Sequence, residues 1–224
     1  MLKAVLFDLD GTLTHTDPIH LSVWQTMLVP YGLEFDEAFY KANFSGRLNV
    51  DILKDLLPQL SPAERAALSE AKETQFRVAA GEQLVPMPGL MALLGWLRQQ
   101  SLAYAVVTNA PRPNAEFMLQ ALRLDKTFDT VVIGDDLPQG KPSPLPYQTA
   151  LAKLNLPPAE ALVFEDSPAG VRAAVAADIC TVGITSTYEA DLLYDLGVTL
   201  AVADFTDPRL REFGLQGEFG LQVP

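Results

Sequence analysis

Apolar and polar positions alternate with two different rhythms along this chain. Lys3 to Asp8 (KAVLFD) is a short apolar run whose length and composition predict a buried strand. From there to about Leu84 no strand pattern recurs. Asp17-Pro18 has the form of a helix N-cap followed by proline at the first helical position. Ile19 to Leu28 carries apolar residues at mixed three- and four-residue spacing, and 36–44, 49–57 and 62–80 also predict helices. The last of these opens on Ser61-Pro62-Ala63-Glu64, a capping-box pattern. Val85-Pro86-Met87-Pro88-Gly89 then breaks the helical rhythm as a linker.

Beyond Pro88, helices and strands alternate. Helix 89–100 leads to strand 103–107, helix 112–122 and strand 130–133. After the loop Gly140-Lys141-Pro142-Ser143-Pro144 come helix 145–154, strand 161–164, helix 168–177 and strand 180–184. A weaker helix at 189–195, a strand at 199–203 and a short helix at 207–213 complete the pattern. This alternation predicts the α/β class, a doubly wound parallel sheet with a Rossmann-like core. The first strand belongs to that sheet. The expected domains are therefore a core of 1–14 with 85–224, and a helical domain, 15–84, inserted after the first strand.

Composition narrows the function classes. Of 224 residues 49% are apolar and 20% charged, which excludes wholesale disorder. The net charge of −12 repels nucleic-acid backbone and anionic lipid, so neither is an expected partner. An anionic substrate would need a local reversal of sign. The single cysteine, Cys180, excludes an internal disulfide framework, and its strand setting predicts a buried small hydrophobe. No apolar run reaches the ~20 residues that span a bilayer, and no signal-peptide pattern opens the chain. Cytoplasm is the expected compartment, and the sequon Asn43-Phe44-Ser45 is expected to be idle. The tandem EFGLQ of 212–216 and 218–222 is too short to build a repeat fold and is assigned no function.

Open parallel sheets bind ligands beyond the C-terminal ends of their strands. There the sequence places Asp8 and Asp10, then Thr108 and Asn109, then Lys141, then Glu165, Asp166 and Ser167. Asp, Asn and Ser also cap helices at such places. Four carboxylates at one sheet edge, however, raise one another's pKa and destabilise the fold unless a cation joins them. Hard oxygen ligands select Mg²⁺ or Ca²⁺, and a site that keeps waters and a phosphate oxygen selects Mg²⁺. The ion, Lys141 and helix-start N–H groups would form a positive spot on a negative protein, suited to a phosphoryl group. Asp8 then has the features of a nucleophile and Asp10 those of a general acid/base.

Asp8-Leu9-Asp10-Gly11-Thr12-Leu13 resembles the first motif of the haloacid dehalogenase-like hydrolase superfamily. Val107-Thr108-Asn109, Lys141 within Gly-Lys-Pro-Ser-Pro, and Phe164-Glu165-Asp166-Ser167 resemble its second, third and fourth. Order and spacing match across nearly the whole chain. The inserted helices resemble the mobile cap of the phosphoglycolate phosphatase and β-phosphoglucomutase branch. The resemblance implies that Asp8 becomes an aspartyl-phosphate with Asp10 as general acid/base. It implies that Thr108, with Asn109 beside it, hydrogen-bonds the phosphoryl group, and that Lys141 neutralises its charge. Mg²⁺ would be held by Asp8, the main-chain carbonyl of Asp10 and Asp166, with Glu165 as a ligand or one shell out. Asp10 argues against carbon–halogen chemistry, because the true dehalogenases do not use that second aspartate.

Phe44 to Asn49 resembles the family's cap specificity loop, with Gly46 and Arg47 as candidate leaving-group contacts. His20 resembles a position used near the active site when the cap closes, and an ordinary helix histidine is the competing reading. His15 and His20 are five apart and share no helical face, which argues against a zinc pair. Trp24 and Phe44 either line the cavity or pack helices. Mutases of the branch carry basic residues where this chain has Ser45 and Asn49. The expected function is thus a Mg²⁺-dependent phosphatase for a small phosphorylated metabolite, of the sugar phosphate or phosphoglycolate type. The alternatives are a phosphomutase, and a non-enzymatic phosphoacceptor module, a class that lacks both the Asp8-x-Asp10 pair and an inserted cap. A monomer or weak dimer is expected.

Overall fold

A computed structural model describes residues 1–215 apart from Gly46, Glu82 and Asp129. The strands β1 (Ala4–Phe7), β2 (Ala103–Thr108), β3 (Thr130–Ile133), β4 (Ala161–Glu165), β5 (Cys180–Ile184) and β6 (Leu200–Val202) form one parallel sheet, ordered β3-β2-β1-β4-β5-β6. β1 and β4 are buried at every position. A parallel sheet covered on both faces requires such continuous apolar strands, and the run KAVLFD supplies one.

The chain divides into two compact units: Met1–His15 with everything from Val85 onward, and Thr16–Leu84. The second unit holds α1 (Asp17–Leu28), α2 (Glu37–Asn43), α3 (Asn49–Leu56) and α4 (Pro62–Ala80). The sheet unit adds α5 (Leu90–Gln99), α6 (Arg112–Ala121), α7 (Leu145–Leu154), α8 (Pro168–Ala176) and α9 (Ala190–Asp195). The fold is therefore of the predicted α/β, Rossmann-like class.

Strand alternation gives the sheet two apolar faces. Leu6, Val107 and Val163 meet Tyr147, Ala150 and Leu151 of α7 and Ala173 and Ala174 of α8. Phe7 and Phe164 point the other way and stack with centroids 5.5 Å apart, and Phe205 meets both edge-on. Full burial of each such side chain contributes about 2 kcal/mol, so the central strands are anchored from both sides.

The helical unit has its own core, in which Trp24, Tyr40, Phe44, Ile52 and Leu53 are buried together. Trp24 and Phe44 are thus packing residues, with ring centroids 5.3 Å apart. The capping box of α4 forms: Glu64 N–H donates to Ser61 Oγ (3.3 Å) and Ser61 N–H to Glu64 Oε2 (2.7 Å).

Three local expectations differ. Thr16, not Asp17, is the N-cap of α1. The Asp17 carboxylate instead accepts from Tyr40 Oη (3.0 Å) and Ser45 Oγ (3.1 Å), donors that only tertiary packing brings near. Cys180 is exposed, not buried. It opens β5, and burial starts one residue later at Thr181. The short helix at 207–213 is a 3₁₀ helix, Pro208–Phe213, opened by Asp207, which accepts from Arg209 N–H at 2.9 Å. The second EFGLQ copy lies outside the described residues. Among those described, no helix is long and apolar enough to cross a membrane.

Candidate active site

Register carries the motif residues to one edge of the sheet. Phe7 is level with Phe164 of β4 and Val106 of β2. One step on, Asp8 N–H donates to the Phe164 carbonyl (3.0 Å). Asp8, Thr108 and Glu165 therefore leave their strands together at the switch point where strand order reverses, the place open α/β sheets use for ligands.

Lys141 reaches this edge from the loop before α7. Its ammonium donates to Asp8 Oδ1 (2.6 Å), Glu165 Oε1 (2.5 Å) and the Val107 carbonyl (2.7 Å). An ammonium has three donors, so its orientation is determined. Asn109 sets the main chain that carries it: Lys141 N–H donates to Asn109 Oδ1 and Asn109 Nδ2 donates to the Lys141 carbonyl, both at 2.9 Å. Thr108 Oγ1 accepts Ala110 N–H (2.9 Å), which leaves the buried hydroxyl its own hydrogen to donate.

Asp166 is held from two loops. Thr187 Oγ1 donates to its Oδ2 at 2.7 Å, with Thr12 Oγ1 3.5 Å from Oδ1. Gly11 makes this approach possible. Its φ is +75°, and a Cβ there would stand 2.1 Å from Asp166 Oδ2. Gly170 does the same for Glu165, where a Cβ would lie 1.6 Å from Oε1.

Asp8, Glu165 and Asp166 are all buried and offer carboxylate oxygens within 4.8 Å of one another. Among the described residues, one ammonium stands against these three carboxylates. Each buried ion costs several kcal/mol to desolvate, so Lys141 alone leaves an excess of negative charge. Asp8 is raised to about 8: burial pushes it up most, Lys141 pulls it down, and the charges of Glu165 and Asp10 add to the rise. Burial alone would lower Lys141, but Asp8 and Glu165 outweigh it and hold the ammonium above its ordinary value. An all-oxygen, over-negative cluster of this kind suits a hard divalent cation close by, whether or not every carboxylate ligates it.

A comparison with known families decides the assignment: the description "haloacid dehalogenase-like hydrolase" matches residues 2–178. The chain belongs to the haloacid dehalogenase-like hydrolase family. This hydrolase is 35% identical to the validoxylamine A 7'-phosphate phosphatase of Streptomyces hygroscopicus subsp. limoneus, over 96% of this chain and 99% of that protein. It is 27% identical to the β-phosphoglucomutase of Bacillus subtilis (strain 168), over 94% and 99% of the two chains. The crystal structure of CbbY from Rhodobacter sphaeroides in complex with phosphate superposes with a TM-score of 0.81 at 26% identity, covering 92% of this chain and 95% of that one.

The remaining expected site residues of the hydrolase have other settings. Asp10 is half-buried and forms a β-bridge with Thr14. In the helical unit, His20 stacks on Phe76 with centroids 4.0 Å apart, and its Nδ1 lies 2.8 Å from Lys72 Nζ. Arg47 donates to the Asn43 carbonyl (2.9 Å) and to Asp55 Oδ2 (2.5 Å). Gly46 lies outside the described residues. Sequence reasoning passed over Thr187, and with it Ser186, whose Oγ donates to the Gly11 carbonyl at 2.5 Å. Both lie just past the C-terminal end of β5, where the same strand-end rule applied one strand further would have found them.

Proposed function

We propose that this hydrolase is a Mg²⁺-dependent phosphatase for small phosphorylated metabolites, of the sugar phosphate or phosphoglycolate type. The observation that carries the reading is the buried excess of carboxylate around Lys141, with one oxygen of Asp8 held at 2.6 Å by that lysine. Asp8 and Asp166, with the main-chain carbonyl of Asp10, would hold the ion. Bound there, Mg²⁺ neutralises charge on the phosphoryl oxygens.

The chain's own groups then divide the work. An Asp8 oxygen attacks phosphorus and the bond to the leaving oxygen breaks, with Asp10 delivering the proton to that oxygen. In the second half Asp10 takes a proton from water, whose oxygen displaces Asp8 from the aspartyl-phosphate and releases phosphate. Thr108 donates its hydroxyl hydrogen to the phosphoryl group, and Lys141 offsets charge on Asp8 and on that group. Asn109 acts through the Lys141 main chain. Leaving-group contacts are assigned to Gly46, Arg47 and His20, as the family resemblance implies.

A phosphomutase is the second reading, and two observations weigh against it. Ser45 and Asn49 stand where the mutases carry cations, and both are engaged inside the helical unit, with Asp17 and Glu73 respectively. The proposal places the enzyme in the cytoplasm, as a monomer or weak dimer, with no nucleic-acid or membrane partner. The net charge of −12 supports the last point. The test ranks phosphorylated sugars and short acids by kcat/KM, before and after EDTA treatment. Hydrolysis lost on chelation and restored by Mg²⁺ is expected. Full activity after exhaustive chelation sinks the metal assignment, and a 1,6-bisphosphate requirement with isomerisation favours the mutase.

A further inference from the structure

Tyr147 lies on α7 with no exposed surface, among Leu6, Val107 and Val163 of the sheet. A phenylalanine would pack there without any polar group to satisfy. A buried hydroxyl costs free energy unless it is hydrogen-bonded, and this one donates to Glu165 Oε1 at 3.0 Å. The ring contributes separately: Lys141 Nζ stands 5.1 Å from its centroid, within cation–π range. One side chain thus touches both members of the Lys141–Glu165 pair.

Glu165 itself is saturated. Its Oε1 accepts from Lys141 and Tyr147, and its Oε2 from the N–H groups of Asp166 (3.1 Å) and Ser167 (3.2 Å) and from Ser167 Oγ (3.2 Å). A carboxylate offers about four lone-pair sites, so these donors leave no good direction for a metal bond. Glu165 is then an anchor for Lys141, and the Tyr147 hydroxyl is the donor that aims Oε1 at the ammonium.

We infer that Tyr147 is a positioning residue for phosphoryl transfer: through its hydroxyl on Glu165 and its ring beneath Lys141, it holds the ammonium against Asp8. The inference rests on the phosphatase reading above. It assigns Glu165 to the lysine and not to the ion.

The test uses the full chain, p-nitrophenyl phosphate and saturating Mg²⁺. Tyr147→Phe keeps the ring and removes the hydroxyl. Losing such an outer partner typically costs about 10-fold or more, so kcat should fall by about tenfold with KM little changed. Tyr147→Leu removes the ring as well and should fall further. Mg²⁺ binding to Tyr147→Phe and to Glu165→Gln, measured by calorimetry without substrate, should stay near the wild-type affinity, whereas Asp166→Asn should lose it. Thermal melting and active-site titration of the acyl-phosphate burst separate a poorly folded sample from a slow enzyme. Undiminished kcat per active site in Tyr147→Phe overturns the inference. So does weakened Mg²⁺ binding with kcat recovered at high Mg²⁺, because Tyr147 would then act through the ion. A wild-type protein that hydrolyses nothing overturns the phosphatase reading and takes this inference with it; an active wild type beside an unimpaired Tyr147→Phe overturns this inference alone.

Discussion

Lys141 in the sheet unit and Lys72 in the helical unit are both buried, at 6% and 3% exposure, in opposite electrostatic settings. Lys72 donates to Glu73 Oε1 (2.8 Å) and lies 2.8 Å from His20 Nδ1, with the Trp24 and Phe76 rings 5.5 and 5.7 Å away. Among the described residues, this cation and this carboxylate form a direct ion pair. Lys141 touches Asp8 and Glu165, and Asp166 adds a third carboxylate to the same cluster. A balanced buried pair makes sense as architecture: removing one partner is costly because the other is stranded. An unbalanced one makes sense only if something positive joins it. Charge balance, more than burial, distinguishes the structural cluster from the chemical one.

The largest test of that contrast removes a charge from the unbalanced cluster. Asp8→Asn should lower turnover of p-nitrophenyl phosphate by roughly 10⁴-fold or more, as removal of a covalent nucleophile does, while circular dichroism and melting show an intact fold. Retained turnover would discard the covalent mechanism.

The converse substitution comes next. Burial opposes ionisation of Glu73, but Lys72 and His20 beside it, with the Lys72 and Asn49 hydrogen bonds, hold it below its ordinary value. A depressed acid contributes stability above its unfolded pKa and loses it as pH falls through the folded one. Glu73→Gln should therefore destabilise the protein by about 3 kcal/mol near neutral pH, and the deficit should shrink below about pH 4. A pH-independent deficit would show that lost packing, not charge, accounts for it.

The smallest effect concerns the ion. Asp8 is raised from 3.8 to about 8, so the native state binds this proton more readily than the unfolded chain does. Metal-free protein should lose stability as pH rises across that interval. Saturating Mg²⁺ at 100 times its dissociation constant should add about 2.7 kcal/mol near neutral pH, visible as a higher Tm, and Asp166→Asn should abolish the gain. A Tm insensitive to Mg²⁺ would contradict the cation argument.

Much of the sheet and its edge was legible because both obey local rules. KAVLFD reads as a strand by its run of apolar residues, and Asp8, Thr108, Lys141 and Glu165 could be placed from their positions at or just past strand ends. The illegible parts depend on distant neighbours. Lys72 and Glu73 are adjacent on α4, a spacing at which helical side chains do not ordinarily face each other, so their pairing cannot be read from the sequence. Asn109 was visible as a polar residue at a strand end, but its bonds to the Lys141 main chain were not. Tyr147 reads as one more apolar position on α7 until Glu165 is seen behind it. Asp17 has the sequence of a cap, and Tyr40 and Ser45 claim it instead.

The position of β1 also constrains how the molecule is made. It precedes the other five strands in sequence, yet its flanking partners are Ala103–Thr108 and Ala161–Glu165. The whole Thr16–Leu84 unit is translated before either exists. The strand leading to Asp8 therefore cannot pair until Ala103–Thr108 has been made, near the middle of the chain, and the cluster of Asp8, Glu165 and Asp166 can assemble only after β4 has been made.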